Sequence, residues 1–243
     1  MNTLKPFVIY SFPRSGTHMT KSALDSHPQL TCHGEVFGNT FQEGILTGIS
    51  AEETYRRHTG PGQGFVFHGY STTRRGQRPE IDGLRRVIDR ERPVVFVLAR
   101  RDLLRRATSL EIAKKSDWAR KCPIQSIPRI EIEPRQLAWD IDQALAERAT
   151  ARQWYPGAHY LWYEDLVAHW DERIREIQRA IGVTEVLLIR PRREKTGPTA
   201  PIRKIITNYD TLQAEFAGTE YERWFELAER RDGRQQCVPR GRR

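Results

Sequence analysis

Pro-Arg-Ser-Gly-Thr, residues 13–17, is the stretch of this sequence whose residue types and order best suit the holding of an anion. An apolar run, Phe7–Phe12, leads into it, and a segment able to form a helix, Thr17–Ser26, leads out. A loop entering a helix aims unpaired backbone N–H groups at one point, where the helix dipole also favours negative charge. Gly16 lets the backbone approach a ligand closely. Arg14 adds a planar fork of donors, and Ser15 and Thr17 add hydroxyls. The expected chemistry is a phosphate cradle. It differs from the nucleoside-triphosphate loop GxxxxGK[ST], because there is no Gly-Lys-Ser/Thr and the cation precedes the glycine.

A second candidate lies in "VVFVLARRDLLRRATSLEIAKK", residues 94–115. Asp102 suits a helix N-cap, and Leu103, Ala107 and Leu110 can face a core. Arg101 near the helix start and Ser109, eight positions on, can converge on one phosphate. Arg100, Arg105 and Arg106 are expected to form a solvated face.

These groups need a frame that brings strand ends together. Four apolar, β-rich runs begin at Phe7, Phe65, Val94 and His159, and such runs suit strands covered on both faces of a parallel sheet. Leu137, Ile141 and Leu145 form one helical stripe. Trp170, Ile174, Ile177 and Ile181 form another, which Gly182 can cap. The expected fold is a three-layer α/β single domain over residues 1–243 with a central parallel sheet. Loop insertions are expected near 38–64 and 116–134, and a basic, solvated tail over 230–243. Ligands of such sheets bind beyond the carboxyl ends of the strands.

With 243 residues, a hydrophobic share of 38% and a charged share of 29%, the chain suits a soluble globular protein. No apolar run approaches the roughly 20 residues that a membrane-spanning helix needs. Lys5, Pro6 and Ser11 interrupt the only apolar stretch near the start, which argues against a signal peptide and for a cytoplasmic location. Cys32, Cys122 and Cys237 are few and widely spaced, so neither a disulfide framework nor a zinc site is expected, and no metal is implied. A net charge of +9 favours an anionic partner. A nucleic-acid module is not expected, because no basic and aromatic residues interleave. Peripheral contact of the basic tail with an anionic membrane fits its charge.

"FPRSGTHMTKSALDSHPQLTCHGEVF" resembles the phosphosulfate-binding segment of PAPS-dependent sulfotransferases, above all the carbohydrate and tyrosylprotein types that carry Pro-Arg-Ser-Gly-Thr; PAPS is 3′-phosphoadenosine 5′-phosphosulfate. The Arg101/Ser109 pair resembles the family's contact to the donor's 3′-phosphate. Looser likenesses run through "LWYEDLVAHWDERIREIQRAIGV" and "KTGPTAPIRKIITNYDTL". The resemblance implies a P-loop-like sulfotransferase architecture and sulfuryl transfer from PAPS to an acceptor hydroxyl by in-line displacement, with a carbohydrate or glycolipid as the expected acceptor. It implies donor contacts from Arg14, Ser15, Gly16, Thr17 and His18, with Lys195 and Arg203 as nucleotide or acceptor contacts.

For the base that deprotonates the acceptor, two residues stand at the family's positions. Glu35 follows the second strand, where tyrosylprotein enzymes carry a catalytic Glu. His68 lies on the third, near the catalytic His of cytosolic members. Glu35 is the preferred base and His68 its partner or rival. Many relatives have a Thr or Trp after the first Thr of the loop, whereas here Thr17 is followed by His18, which must replace or forgo that contact. A P-loop-like phosphotransferase is the alternative activity.

Overall fold

The computed structural model describes residues 4–36, 50–68, 79–115, 129–191 and 200–236. In chain order the strands are β1 (Phe7–Ser11), β2 (Thr31–Glu35), β3 (Gln63–His68), β4 (Val94–Ala99) and β5 (His159–Trp162). The helices are α1 (Thr17–Asp25), α2 (Ala51–His58), α3 (Pro79–Glu91), α4 (Leu103–Lys115), α5 (Pro134–Trp154), α6 (Tyr163–Ala168), α7 (Trp170–Ile181), α8 (Ile202–Ile205), α9 (Tyr209–Phe216) and α10 (Glu222–Gln236). The chain divides into two compact units, one of Met1–Arg101 with Leu145–Pro191, the other of Asp102–Ala144 with Arg192–Arg243.

The first unit is built on a five-stranded, all-parallel sheet in the order β2-β3-β1-β4-β5. The central strand β1 is buried along its whole length, which is why its sequence is apolar without alternation. Its side chains still divide between the two faces, as the period of a strand requires. Phe7 and Ile9 pack with Ala23 and Leu24 of α1, Leu166 of α6 and Ile174, Ile177 and Ile181 of α7. Val8 and Tyr10 pack on the other face with Tyr55 of α2, Leu84, Val87 and Ile88 of α3, and Ala151 of α5. Helices therefore cover both faces. The four apolar runs correspond to β1, β3, β4 and β5. The edge strand β2 buries only Cys32 among its residues and carries little of the apolar signal.

The strand order places a crossover on either side of β1. The chain leaves β1 toward β2 and β3 on one side, and leaves β4 toward β5 on the other. The turns after β1 and β4 therefore flank the topological switch point, the usual ligand crevice of such sheets. Helix α7 ends where Gly182 adopts φ 88, and the N–H groups of Gly182 and Val183 return to the Gln178 carbonyl. The buried Gln178 amide also pairs with Val186, donating to its carbonyl and accepting from its N–H at 2.9 and 2.8 Å.

The second unit is helical. Tyr209, Phe216 and Phe225 stack their rings edge to face or tilted in its core. Asp102 caps α4, accepting from the Arg105 N–H at 2.9 Å. Arg105 and Arg106 are not the solvated face expected of them: they are 8% and 4% exposed. Arg105 pairs with Asp232 and lies 3.5 Å from Asp102, and Arg106 donates to the Asp140 carbonyl at 3.2 Å. Buried guanidinium groups require such partners, since leaving one unpaired costs several kcal/mol, on the order of 3–5.

Two more expectations are corrected. Residues 50–64, expected to belong to a loop insertion, contain α2, capped by Ser50, and the start of β3. Residues 230–236, expected to begin a solvated tail, continue α10 and supply Asp232 to the buried ion pairs. The remainder of the tail, residues 116–128 and residues 37–49 lie outside the described residues. Among the described residues no helix is long and apolar enough to cross a membrane.

Candidate active site

The loop at the end of β1 takes the form its residues suggest. The Ser15 N–H donates to the Phe12 carbonyl at 3.2 Å and closes the turn. Arg14 and Gly16 both have positive φ, 68 and 95, the backbone setting from which anion-binding nests of amides are built. Gly16 stands at the N-cap of α1 and offers no side chain, leaving the first-turn N–H groups without a side-chain cap. A Cβ on Gly16 would lie 2.7 Å from the Tyr163 ring, so this position excludes any side chain on steric as well as conformational grounds. Ser15 is fully buried and its Oγ has no hydrogen-bond partner among the described residues. Burial lowers the pKa of Arg14 from its ordinary value, the mark of a guanidinium drawn out of water. Uncapped amides, a buried unpaired hydroxyl and a desolvated arginine are the donor set that a phosphate or phosphosulfate oxygen requires.

Next to the loop lies a chain of proton-bearing groups. In the β1–β3 register Ser11 stands opposite His68. Ser11 Oγ lies 3.0 Å from His68 Nδ1 and accepts from the Thr17 hydroxyl at 3.2 Å. The β2–β3 register shifts between His33 and Glu35, an irregularity of the kind that re-aims side chains near sites. Glu35 Oε1 lies 2.7 Å from His68 Nε2. The two candidate bases are thus hydrogen-bonded to each other. The His68 hydrogen bond holds the Glu35 carboxyl below its ordinary value; partial burial opposes this, and the charges of His68 and His18 assist it. His18, the second residue of α1, is exposed.

The turn after β4 carries two arginines in different settings. Arg101 is 46% exposed at its side chain; its guanidinium forms two hydrogen bonds with Asp165 and lies 4.9 Å above the Trp162 ring. Its N–H donates to Glu164 at 2.9 Å. Asp165 raises the pKa of Arg101, and Arg101 in turn lowers that of Asp165. Arg100, expected at the surface, is only 14% exposed and lies 4.8 Å above the Tyr163 ring, the ring that walls Gly16. Ser109 is nearly buried on α4, in the second unit. Arg203 is also in that unit, where its guanidinium donates to Glu229 and Gln213 and pairs with Asp210. Lys195 lies outside the described residues.

The structure therefore gathers Arg14, Ser15, Gly16, Thr17, Glu35 and His68 at adjoining strand ends of one unit. It adds Ser11, Arg100 and Tyr163, which the sequence did not assign to the site; Arg100 was expected on a solvated face. Ser11 reads as one more buried strand residue, and two adjacent arginines look alike until the end of β4 is known. Among the described residues no group of His, Cys, Asp and Glu could hold a metal ion.

No protein-family model matches the chain, and no curated protein matches it. Solved structures do. A sulfotransferase from Alicyclobacillus acidocaldarius superposes with a TM-score of 0.51 at 14% identity, covering 90% of this chain and 98% of that one. Mouse sulfotransferase SULT7A1, complexed with PAP, superposes with a TM-score of 0.52 at 10% identity, covering 93% of this chain and 89% of that one. At such low identity the likeness concerns architecture: the chain has the fold of these sulfotransferases, a P-loop-like α/β fold around a parallel sheet.

Proposed function

We propose that the chain is a PAPS-dependent sulfotransferase that moves a sulfuryl group to an acceptor hydroxyl by in-line displacement. The observation that carries this reading is the position of the Arg14–Thr17 anion loop beside the Glu35–His68 pair. The first supplies electrostatic stabilisation and the second a proton acceptor, the two requirements of group transfer to a hydroxyl. The acceptor oxygen bonds to sulfur and gives its proton to the Glu35–His68 pair. The bond from sulfur to the phosphate oxygen breaks, and the loop amides, Ser15 and Arg14 take up the negative charge left on that phosphate.

Arg101 in the first unit and Ser109 in the second are each proposed for the nucleotide-contact role that the resemblance gives them. Arg100 joins them as a candidate because it shares the Tyr163 ring with the loop. Arg203 stays a proposed nucleotide or acceptor contact, its guanidinium held by Glu229 and Gln213 as that of Arg101 is held by Asp165. A carbohydrate or glycolipid is the proposed acceptor class, and a cytoplasmic location fits the sequence. A P-loop-like phosphotransferase is disfavoured by the absence of Gly-Lys-Ser/Thr after the turn.

The test compares thermal stabilisation by 3′,5′-adenosine bisphosphate, ATP and single-stranded DNA. A ligand at about 100 times its Kd stabilises the native state by about 2.7 kcal/mol, a readily measured rise in Tm. Preferential stabilisation by the adenosine bisphosphate is expected, followed by transfer of label from PAPS to an acceptor extract. Preference for ATP would overturn the proposal.

A further inference from the structure

The hydroxyls of Thr17 and Ser11 join the anion loop to the base, and their hydrogens constrain what each group can do. Thr17 donates its one hydroxyl hydrogen to Ser11 Oγ at 3.2 Å. Ser11, fully buried, then has its own hydrogen available for His68 Nδ1, 3.0 Å from its Oγ. An ionised Glu35 can only accept at 2.7 Å, so a neutral His68 ring carries its hydrogen at Nε2 and leaves Nδ1 as the acceptor for Ser11. In this arrangement neither imidazole nitrogen can take a proton from an acceptor hydroxyl without breaking a bond already made.

An anion offers only acceptors, and Thr17 stands at the first position of the helix beside the loop amides. If Thr17 turns its hydrogen to a phosphate oxygen, Ser11 can donate to Thr17 Oγ1, and Ser11 Oγ becomes free to accept from Nδ1. The Ser11 carbonyl, 3.3 Å from Nδ1, is a second acceptor for the same hydrogen. The geometry thus serves both directions of the chain.

Resting on the function proposed above, we propose that Ser11 and Thr17 form a reversible hydroxyl relay through which an anion in the loop moves the His68 ring hydrogen from Nε2 to Nδ1. The hydrogen count balances. The Nε2 hydrogen leaves to water by way of the part-exposed Glu35 carboxylate. Nδ1 takes the Ser11 hydrogen, Ser11 takes that of Thr17, and Thr17 takes one from water and donates it to the anion. Nε2 is then a lone pair open to an acceptor hydroxyl, and the acceptor-only Glu35 carboxylate, part-exposed, must turn from it to water. A proton arriving there leaves an imidazolium held between Ser11 and the ionised Glu35, with His18 the further titratable group near that carboxylate. Ser11 is a positioning residue in this scheme: it touches neither donor nor acceptor, and it makes the base competent only when the donor is in place.

The test reads the imidazole ¹⁵N signals of His68 in histidine-labelled full chain at one fixed pH, with and without saturating 3′,5′-adenosine bisphosphate. The free protein should show an unprotonated Nδ1 and a protonated Nε2, and the ligand should exchange the two signals. Ser11→Ala should abolish the exchange while ligand still raises Tm, and Ser11→Thr should restore it. If Ser11→Ala does not fold, Thr17→Val, nearly isosteric, must show the same loss. A ligand that raises Tm but leaves the wild-type signals in place overturns the relay alone, as does an unchanged exchange in the folded variants. A ligand that does not raise wild-type Tm overturns the functional reading and the relay with it.

Discussion

Replacing Gly16 by alanine should be among the costliest single-methyl additions in this protein, and the cost can be worked from two independent causes. A φ of 95 is unfavourable for any residue with a Cβ, by about 1–2 kcal/mol. The added carbon would also lie 2.7 Å from Tyr163 Cδ2 and 3.2 Å from Cε2, so the ring must move. Overpacking of this kind costs about 1–3 kcal/mol. The ring carries the Arg100 guanidinium at 4.8 Å, a contact worth about 0.5–1 kcal/mol that its displacement would weaken.

The expected loss for Gly16→Ala is therefore about 3 kcal/mol. In a Tyr163→Ala background the clash is absent and only the backbone strain of about 1–2 kcal/mol should remain. Urea unfolding of the four proteins closes a double-mutant cycle, with an expected coupling of about 1–2 kcal/mol. Equal costs in both backgrounds would refute the steric argument, and a loss well under about 1 kcal/mol in the wild type would refute the backbone argument too. Because the same methyl perturbs the loop amides, affinity for 3′,5′-adenosine bisphosphate should fall at least about tenfold, a loss of about 1.4 kcal/mol.

Arg14→Ala should lower turnover by about two to three orders of magnitude, as loss of one oxyanion donor does, with near-normal turnover removing Arg14 from its proposed role. Glu35 stabilises the fold at pH values above the ordinary carboxylate value of 4.5, and this contribution is lost as the pH falls through its lower value in the folded protein. The Tm difference between wild type and Glu35→Gln should therefore shrink as melts are taken from pH 7 toward pH 3; a constant difference would contradict the His68 hydrogen bond as its cause. Gln178→Ala should cost about 2–4 kcal/mol in urea unfolding, since it strips partners from both backbone groups of Val186, and a loss under about 1 kcal/mol would show that water replaces them.

Several features of this protein were legible in order along the chain. The loop Pro13–Thr17, the helix after it, the Asp102 cap and the Trp170–Ile181 stripe with its glycine cap are all set by neighbours within a few residues. Local steric and hydrogen-bonding preferences decide such features, so a pattern of residue types suffices to find them. The likeness of the loop to a phosphosulfate cradle belongs to the same class, because its donors are contiguous.

What only the tertiary structure decided depends on strands that lie far apart in the chain. Glu35 and His68 were two rival bases until the β2–β3 register, with its irregularity before Glu35, placed them 2.7 Å apart. Ser11 was an ordinary buried strand residue until the β1–β3 register set it opposite His68. Arg100 and Arg101 are adjacent and chemically identical, and where β4 ends determines which one meets the Tyr163 ring and which one meets Asp165. Arg105 and Arg106 looked like surface charge because nothing local announced their partners, Asp232, more than a hundred residues away, for the first and the Asp140 carbonyl for the second. The physical reason is common to all four: a side chain's type states what it can bond to, but pairing and burial are settled by long-range packing, which no short window of sequence contains.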